Sequence, residues 1–298
     1  MTGSLPFAKM HGAGNDFVVL DDREGRLRDL PRLAPLLCDR HFGIGADQVL
    51  VVRPARNADM RMEIYNADGS QVEMCANGIR AFYRYLRDRG LVDREEIAVE
   101  TLSGIVRPRG VGPDRVRVDM GRPVLEPAKI PTTLGQGSGP VLDVPLEVAG
   151  RTLRVSSVSM GNPHCVVEVD DVERAPVSEL GPAIEHHPAF PNRVNVEFVR
   201  VLARDRIRQR TWERGTGETL ACGSGACAVA VVSMLRGRVD REVEIELPGG
   251  VLEIAWPDPE GSVFMTGPAT EVFTGTVSLE ALEAGARGGE GAVCSKGS

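Results

Sequence analysis

Two stretches of this chain carry the same signature 147 positions apart. "VEMCANGIRAFYRYL" holds Cys75 and "ETLACGSGACAVAVVSML" holds Cys222; each cysteine is followed by two residues, a glycine and a helix-like run. The same offset lays Gly14-Asn15 on Gly161-Asn162, Gln48 on Asn195, Asn66 on Glu213 and Gly78 on Gly225. It lays "RGLVDREE" (89–96) on "RGRVDREV" (236–243) and, after a slip of one residue, "VETLSGIV" (99–106) on "IELPGGVL" (245–252). Chance aligns two cysteines easily but not this many points. The chain is a duplication, and each copy must bury its own core. Its 298 residues are enough for two domains of ordinary size.

Each copy repeats one coarse plan. "DFVVLDD", "MRMEIYN" and "RVRVDM" read as strands in the first half, and "HCVVEVD", "NVEFVRV" and "VEIEL" in the second. Each half has one strong helix that opens just after its cysteine, Ile79 to Arg89 and Ala226 to Arg236, with Arg and Gly at the stop. The expected fold is therefore α+β: two pseudo-symmetric duplicated domains, each a mostly antiparallel, barrel-like sheet wrapped around a central helix. The Pro- and Gly-rich stretch 122–140 reads as the connection between halves. The first domain is expected over 1–126, joined by a returning segment near 275–284, and the second over 127–274. The low-complexity tail 285–298, with Cys294, is expected to be disordered.

Composition removes several classes of function. A net charge of −7 and the lack of a basic stripe argue against a nucleic-acid partner. No apolar run approaches about 18 residues, so no membrane span is expected. The start "MTGSLPFAKMHGAGN" lacks a basic-then-apolar signal, which points to the cytoplasm. There a reducing environment keeps the six cysteines as thiols. No CxxC pair occurs, and His11, His41, His186 and His187 show no metal-ligand spacing, so no metal is expected. Cys38, Cys165 and Cys227 sit in apolar runs without a partner in the other half and read as core. Lysine occurs only at 9, 129 and 296, none in the setting that a pyridoxal phosphate Schiff base requires.

Cys75 and Cys222 differ from those core thiols. Glycine and serine leave Cys222 little to pack against, and a helix N-terminus aims unpaired N–H groups and a positive dipole at each sulfur. Such a setting lowers a thiol toward the thiolate range. Related halves generally pack about a pseudo-twofold axis, so the two helix starts are expected to face each other with a carboxylate held between them. A thiolate on one side and a thiol on the other is what stereoinversion at an α-carbon needs: one sulfur removes the proton, and the other returns one to the opposite face. The N–H groups of both helix starts would meet the enediolate charge. Asn15, Gln48, Asn66, Asn162, Asn195 and Arg214 are donors suited to a ligand of amino-acid type, and Glu213 offers an acceptor for an ammonium group. The halves differ at Asn66 against Glu213 and at Phe17 against His164, so His164 and Glu213 are candidates for making the thiols unequal.

These motifs carry a resemblance. "KMHGAGNDFVVLDD", "DRHFGIGADQVL", "YNADGSQVEMCANGIRAF", "SMGNPHCVV" and "ERGTGETLACGSGACA" resemble the diaminopimelate epimerases, over a span from about Lys9 to about Val277. The resemblance implies a cofactor-independent epimerase that interconverts LL- and meso-2,6-diaminopimelate for lysine and peptidoglycan precursors, acting as a homodimer. Carried over by motif, it implies Cys75 and Cys222 as the acid/base pair. It implies substrate binding by Asn15, Gln48, Asn66, Ala76, Asn77, Asn162, Asn195, Glu213, Arg214, Gly223 and Ser224, and tuning of the thiols by His164 and Glu213. Many members have Gly where this chain has Ala76; a position that supplies only its N–H tolerates either. A proline- or hydroxyproline-type racemase also pairs two thiols, but its substrate would leave Asn66, Asn195 and Arg214 without a purpose. A cysteine hydrolase would not explain the second cysteine, and a non-catalytic binding protein would explain the duplicated cleft but not the thiols.

Overall fold

The computed structural model describes residues 3–135 and 139–284; the expected disordered tail, with Cys294 and Lys296, lies outside them. In chain order the elements are β1 (Ser4–Gly12), β2 (Asn15–Asp21), α1 (Leu30–Cys38), β3 (Gln48–Arg53), β4 (Met60–Asn66), β5 (Gln71–Val72), α2 (Ala76–Asp88), β6 (Val99–Thr101), β7 (Gly104–Val106), β8 (Arg109–Gly110) and β9 (Arg115–Asp119). There follow β10 (Val141–Val148), β11 (Arg151–Ser159), β12 (Pro163–Glu168), α3 (Val177–Glu185), β13 (Asn195–Ala203), β14 (Arg206–Glu213), β15 (Gly217–Thr219), α4 (Gly223–Leu235), β16 (Glu242–Leu247), β17 (Gly250–Ala255), β18 (Phe264–Pro268) and β19 (Thr270–Ser278).

Among the described residues the chain forms two compact units, one of residues 3–116 together with 269–284, the other Arg117–Pro268. The changes of unit thus fall at 116 and 268, where the sequence reading set them at 126 and 274. The duplication holds at the level of single residues. Shifted by the Cys75-to-Cys222 offset, β1, α1 and α2 become β11, α3 and α4 end to end. The parallel register Phe17↔Gln48 becomes His164↔Asn195.

The first sheet has the strand order β19-β1-β2-β3-β4-β6-β7, with β5 on β4; the second has β10-β11-β12-β13-β14-β16-β17-β18-β9-β8, with β15 on β14. Both sheets are mixed but mostly antiparallel, the parallel pairs being β2–β3 and β4–β6, and β12–β13 and β14–β16. Neither path closes, so the sheets are barrel-like without being barrels. "RVRVDM" is a strand, as expected, but β9 lies beside β18 and not in the first sheet.

Each sheet curls around one helix. α4 is apolar on every side and nearly every residue is buried, as a helix enclosed all round must be. α2 buries its length from Ala76 to Leu86 and leaves Arg84, Arg87 and Asp88 at the rim. Each unit has a second helix that the sequence reading missed. α1 packs Leu30, Leu33, Ala34 and Leu37 outside the first sheet, and α3 packs Val177, Leu180 and Ile184 outside the second. Burying each such Leu or Ile contributes about 1.5–3 kcal/mol, which together outweighs the cost of the proline inside each helix. Pro35 and Pro182 occupy matched positions in them. Proline 35 removes the N–H that would bond the carbonyl four residues back. The turn after β4 comes up against that carbonyl at Gly69 (φ +86°), where a Cβ would lie 2.1 Å from Pro31 O. Only glycine fits that approach.

Candidate active site

Parallel β2–β3 and antiparallel β3–β4 pairing brings the start of β2, the start of β3 and the end of β4 to one end of the first sheet. Asn15, Gln48 and Asn66 stand there. Cys75 is the N-cap of α2, and its sulfur accepts a hydrogen bond from Gly78 N–H at 3.4 Å. Cysteine is a poor cap beside Ser, Thr, Asp or Asn, so its presence is not explained by helix stability. Sγ lies 3.7 Å from Asn15 Oδ1, which also accepts from Asn77 Nδ2 at 3.3 Å. Asn77 Oδ1 in turn accepts from the fully buried Arg80 at 2.9 Å. Gln48 Nε2 donates to Asn66 Oδ1 at 2.8 Å, and Gln48 Oε1 is buried without a partner.

Sequence reasoning missed the support behind Asn15. Asn15 Nδ2 donates to Asp47 at 2.9 Å, and Arg40 bridges Asp47 and Asp16. Lys9 donates to Asp16 at 2.6 Å and to Gly45 O. Burial would raise the Asp16 carboxyl, but hydrogen bonds from Arg40 and Lys9 outweigh it and hold the group at about 2. Asp47 directly precedes the singled-out Gln48; the loop from 40 to 47 that brings Arg40 and Asp47 back onto Asn15 left no periodic signal.

The second unit repeats the arrangement with different chemistry. Asn162, Asn195 and Glu213 gather at one end of its sheet, and Cys222 is the N-cap of α4. Cys222 is buried, with Ser224 Oγ at 3.6 Å. Asn195 donates to Pro163 O at 3.0 Å and accepts from Arg214 N–H at 2.9 Å, so it braces the turn after β14. The Arg214 side chain reaches Asn192 O at 3.1 Å. Glu213 accepts from Thr219 Oγ1 at 2.6 Å, and burial raises its carboxyl. His164 is wholly buried, with Nε2 at 3.0 Å from Asn162 Oδ1 and Nδ1 at 2.7 Å from Glu197 Oε1.

Here one expectation is corrected. A helix N-terminus was expected to lower the Cys222 thiol, yet it stands well above its ordinary value. Burial is the main cause, and the carboxylates of Glu213 and Glu197 act in the same direction. Cys38 is likewise pushed up, to about 12, chiefly by burial, and Cys165 is raised by burial within the core. Cys38, Cys165 and Cys227 are all buried, as the sequence suggested.

Two further carboxylates escaped the sequence reading. Glu197 stands two residues beyond Asn195 on one strand, so the period of two marks it as sharing that residue's face. Glu185, at the end of α3, accepts from Trp212 Nε1 at 2.8 Å and from Gly215 N–H at 3.0 Å, clasping the turn that carries Glu213 and Arg214. Among the described residues, no group of three or more His, Cys, Asp or Glu could hold a metal ion, and no helix is long and apolar enough to cross a membrane.

This two-unit α+β architecture defines a class represented by known structures. A phenazine biosynthesis protein of the PhzF family from Bacillus anthracis matches with a TM-score of 0.67 at 17% identity, covering 92% of this chain and 99% of that one. A probable proline racemase from Agrobacterium radiobacter K84, solved with bound carbonate, matches with a TM-score of 0.66 at 17% identity, covering 92% and 93%. At such identities the likeness shows the fold alone. Sequence supplies the second step. The family model described as diaminopimelate epimerase matches residues 7–126 and 156–272. A protein of Moorella thermoacetica named diaminopimelate epimerase is 54% identical over 281 residues, 93% of this chain and 100% of that one. The chain belongs to the diaminopimelate epimerase family.

Proposed function

We propose that this protein is a cofactor-independent epimerase that interconverts LL- and meso-2,6-diaminopimelate, with Cys75 and Cys222 as its two acid/base groups. The observation that carries the reading is the duplication itself. Each unit sets one cysteine at the N-cap of its enclosed helix, beside a set of amide side chains at the same end of the sheet. One base would not require two copies of that arrangement. Two bases do.

In this reading one sulfur, as thiolate, takes the α-proton and becomes a thiol. The other, as thiol, gives its proton to the opposite face and becomes a thiolate, so the enzyme ends each turnover with the roles exchanged. The backbone N–H groups of Ala76, Asn77, Gly223 and Ser224 lie in the first turns of α2 and α4, where helices leave donors unpaired, and they suit the developing enediolate. Asn15, Gln48, Asn66, Asn162, Asn195 and Arg214 supply donors for carboxylates. Glu213 and the unpartnered Gln48 Oε1 supply acceptors for ammonium groups. His164 and Glu213 tune Cys222. Lys9 is engaged by Asp16 and Lys129 by Glu126, which favours chemistry without a Schiff base. We further infer a homodimer in the cytoplasm, serving lysine and peptidoglycan precursor synthesis.

The test is turnover of LL-diaminopimelate by purified protein without pyridoxal phosphate, read by chiral chromatography, with lysine and proline alongside. Lysine lacks the distal carboxylate and is expected to react roughly a hundredfold more slowly or worse. Comparable turnover of lysine or proline, or a need for added cofactor, overturns the reading.

A further inference from the structure

The duplication permits an atom-level comparison of what lies beneath each cysteine-bearing helix start. In the first unit the ground is apolar: a Cβ placed on Gly78 would meet Leu50 Cδ2 at 3.2 Å, Cys75 Cβ at 3.4 Å and Phe17 Cε1 at 3.5 Å. The matched residues in the second unit are Glu197, Cys222 and His164. There a Cβ on Gly225 would meet Glu197 Oε1 at 2.7 Å and Cys222 Sγ at 3.3 Å. Both atoms surround that one point, so they lie at most 6.0 Å apart. Leu50 and Phe17 are wholly buried, and so are Glu197 and His164.

A buried carboxylate is costly, and this one is only half satisfied. Glu197 Oε1 bonds His164 Nδ1 at 2.7 Å, while Oε2 has no partner. Packing alone would be served by the leucine that the first unit uses in the same place. The charged groups of the second unit facing Cys222 are Glu197 from β13 and Glu213 from β14, with His164 from β12 bonded behind Glu197. Glu213 replaces the amide of Asn66 and stands among the residues given to substrate. Glu197 has no such task.

We propose that Glu197 is the positioning residue that makes the two copies unequal: its carboxylate opposes negative charge on Cys222, which rests as the proton-bearing member of the pair, and the first proton to leave the pair comes from Cys75. The assignment rests on the two-thiol reading of the function. It carries a built-in constraint, since position 225 must be glycine for the carboxylate to approach.

The experiment measures, in the full-length protein, how alkylation of each cysteine by iodoacetamide depends on pH, with peptides resolved by mass spectrometry. Limited access scales the alkylation rate at every pH, whereas the midpoint reports the thiol's proton affinity; burial and Glu197 both raise that affinity at Cys222, and the Glu197 variants separate the two. A unit charge at about 6 Å in an effective dielectric near 20 moves a neighbouring midpoint by about two pH units; the bonded imidazole weakens that, leaving a shift of about one. Glu197→Gln is therefore expected to lower the Cys222 midpoint by about one pH unit, roughly tenfold more thiolate at a given pH, and to leave Cys75 in place. Glu197→Asp is expected to keep the wild-type midpoint, and Glu197→Leu to behave as Gln does; should the Leu variant fail to fold, the near-isosteric Gln variant decides. An unmoved Cys222 midpoint in folded Glu197→Gln, or a wild-type Cys222 midpoint below that of Cys75, overturns the proposal. Because alkylation needs no turnover, a wild-type protein that failed to epimerise diaminopimelate would sink the functional reading separately.

Discussion

Gly78 and Gly225 occupy the same position in two copies of one helix start, yet alanine should have opposite effects at the two. Neither glycine has a positive φ, so alanine gains up to about 1 kcal/mol from reduced backbone freedom at either position. At Gly78 the tightest contact of the new methyl would be a leucine methyl at 3.2 Å, which gives way by a few tenths of an ångström. Gly78→Ala is expected to be neutral or stabilising by up to about 1 kcal/mol. At Gly225 the new methyl would lie 2.7 Å from a carboxylate oxygen already held at 2.7 Å by His164. Glu197 must move, and a charge-assisted bond worth about 1.5–3 kcal/mol is strained or lost. Gly225→Ala is thus expected to destabilise by about 1–2 kcal/mol net and, with Cys222 Sγ beside the same methyl, to lower kcat. Urea unfolding followed by tryptophan fluorescence reports on the second unit, which holds both Trp212 and Trp256. Circular dichroism follows the whole chain. Equal shifts for the two variants, or a greater loss at Gly78, would refute the unequal ground beneath the two helices.

Asp16 supplies a pH-dependent prediction. Its carboxyl is held at about 2 in the folded state, below its ordinary 3.8, so its contribution is fully present above about pH 4 and is lost as pH falls through 2. Asp16→Asn is expected to cost about 1–2 kcal/mol at neutral pH, solvent screening included, with the gap to wild type closing between about pH 4 and pH 2 in denaturation curves. A gap that stays constant with pH would remove Asp16 from the account. Glu185→Gln takes one acceptor from the clasp on the turn carrying Glu213 and Arg214. KM for diaminopimelate should rise about three- to tenfold with a smaller change in kcat, and a change confined to kcat would contradict that role. Two thiols that serve opposite faces of one carbon should also oxidise to each other. Mild oxidant should abolish activity reversibly and yield a Cys75–Cys222 crosslink in peptide maps; a crosslink confined to Cys38, Cys165 or Cys227 would refute the pairing.

The offset between Cys75 and Cys222 was enough to expose the duplication, because repeated polar motifs do not depend on burial. It led to strands and to the enclosed helices α2 and α4, and to the amides now found at the sheet ends. α1 and α3 are short and carry Pro35 and Pro182 inside them, so the sequence reading placed only one helix in each half; tertiary packing of Leu33, Leu37, Leu180 and Ile184 decides the local structure. β9 was assigned to the wrong sheet because alternation reports a strand without naming its neighbour. The carboxylates that shape each site share one reason for escaping notice: Asp47, Glu185 and Glu197 have no counterpart of their own type at the repeat offset. Differences between copies carry as much chemistry as the matches, but only a structure shows which differences face the same point. The direction of the Cys222 titration was misjudged for that reason, since a helix dipole is visible in sequence and two buried carboxylates opposing it are not.

The most direct test of the two-base account is the early time course of LL-diaminopimelate with wild-type protein in D2O, without cofactor. Deuterium at the α-carbons is followed by NMR, and stereoisomers are separated by chiral chromatography. Two bases on opposite faces predict that the first meso product carries solvent deuterium at the inverted centre while the remaining LL substrate carries none. Cys75→Ala and Cys222→Ala should each abolish inversion. Deuterium appearing in recovered LL substrate as fast as in product, or inversion persisting in either cysteine variant, would contradict it.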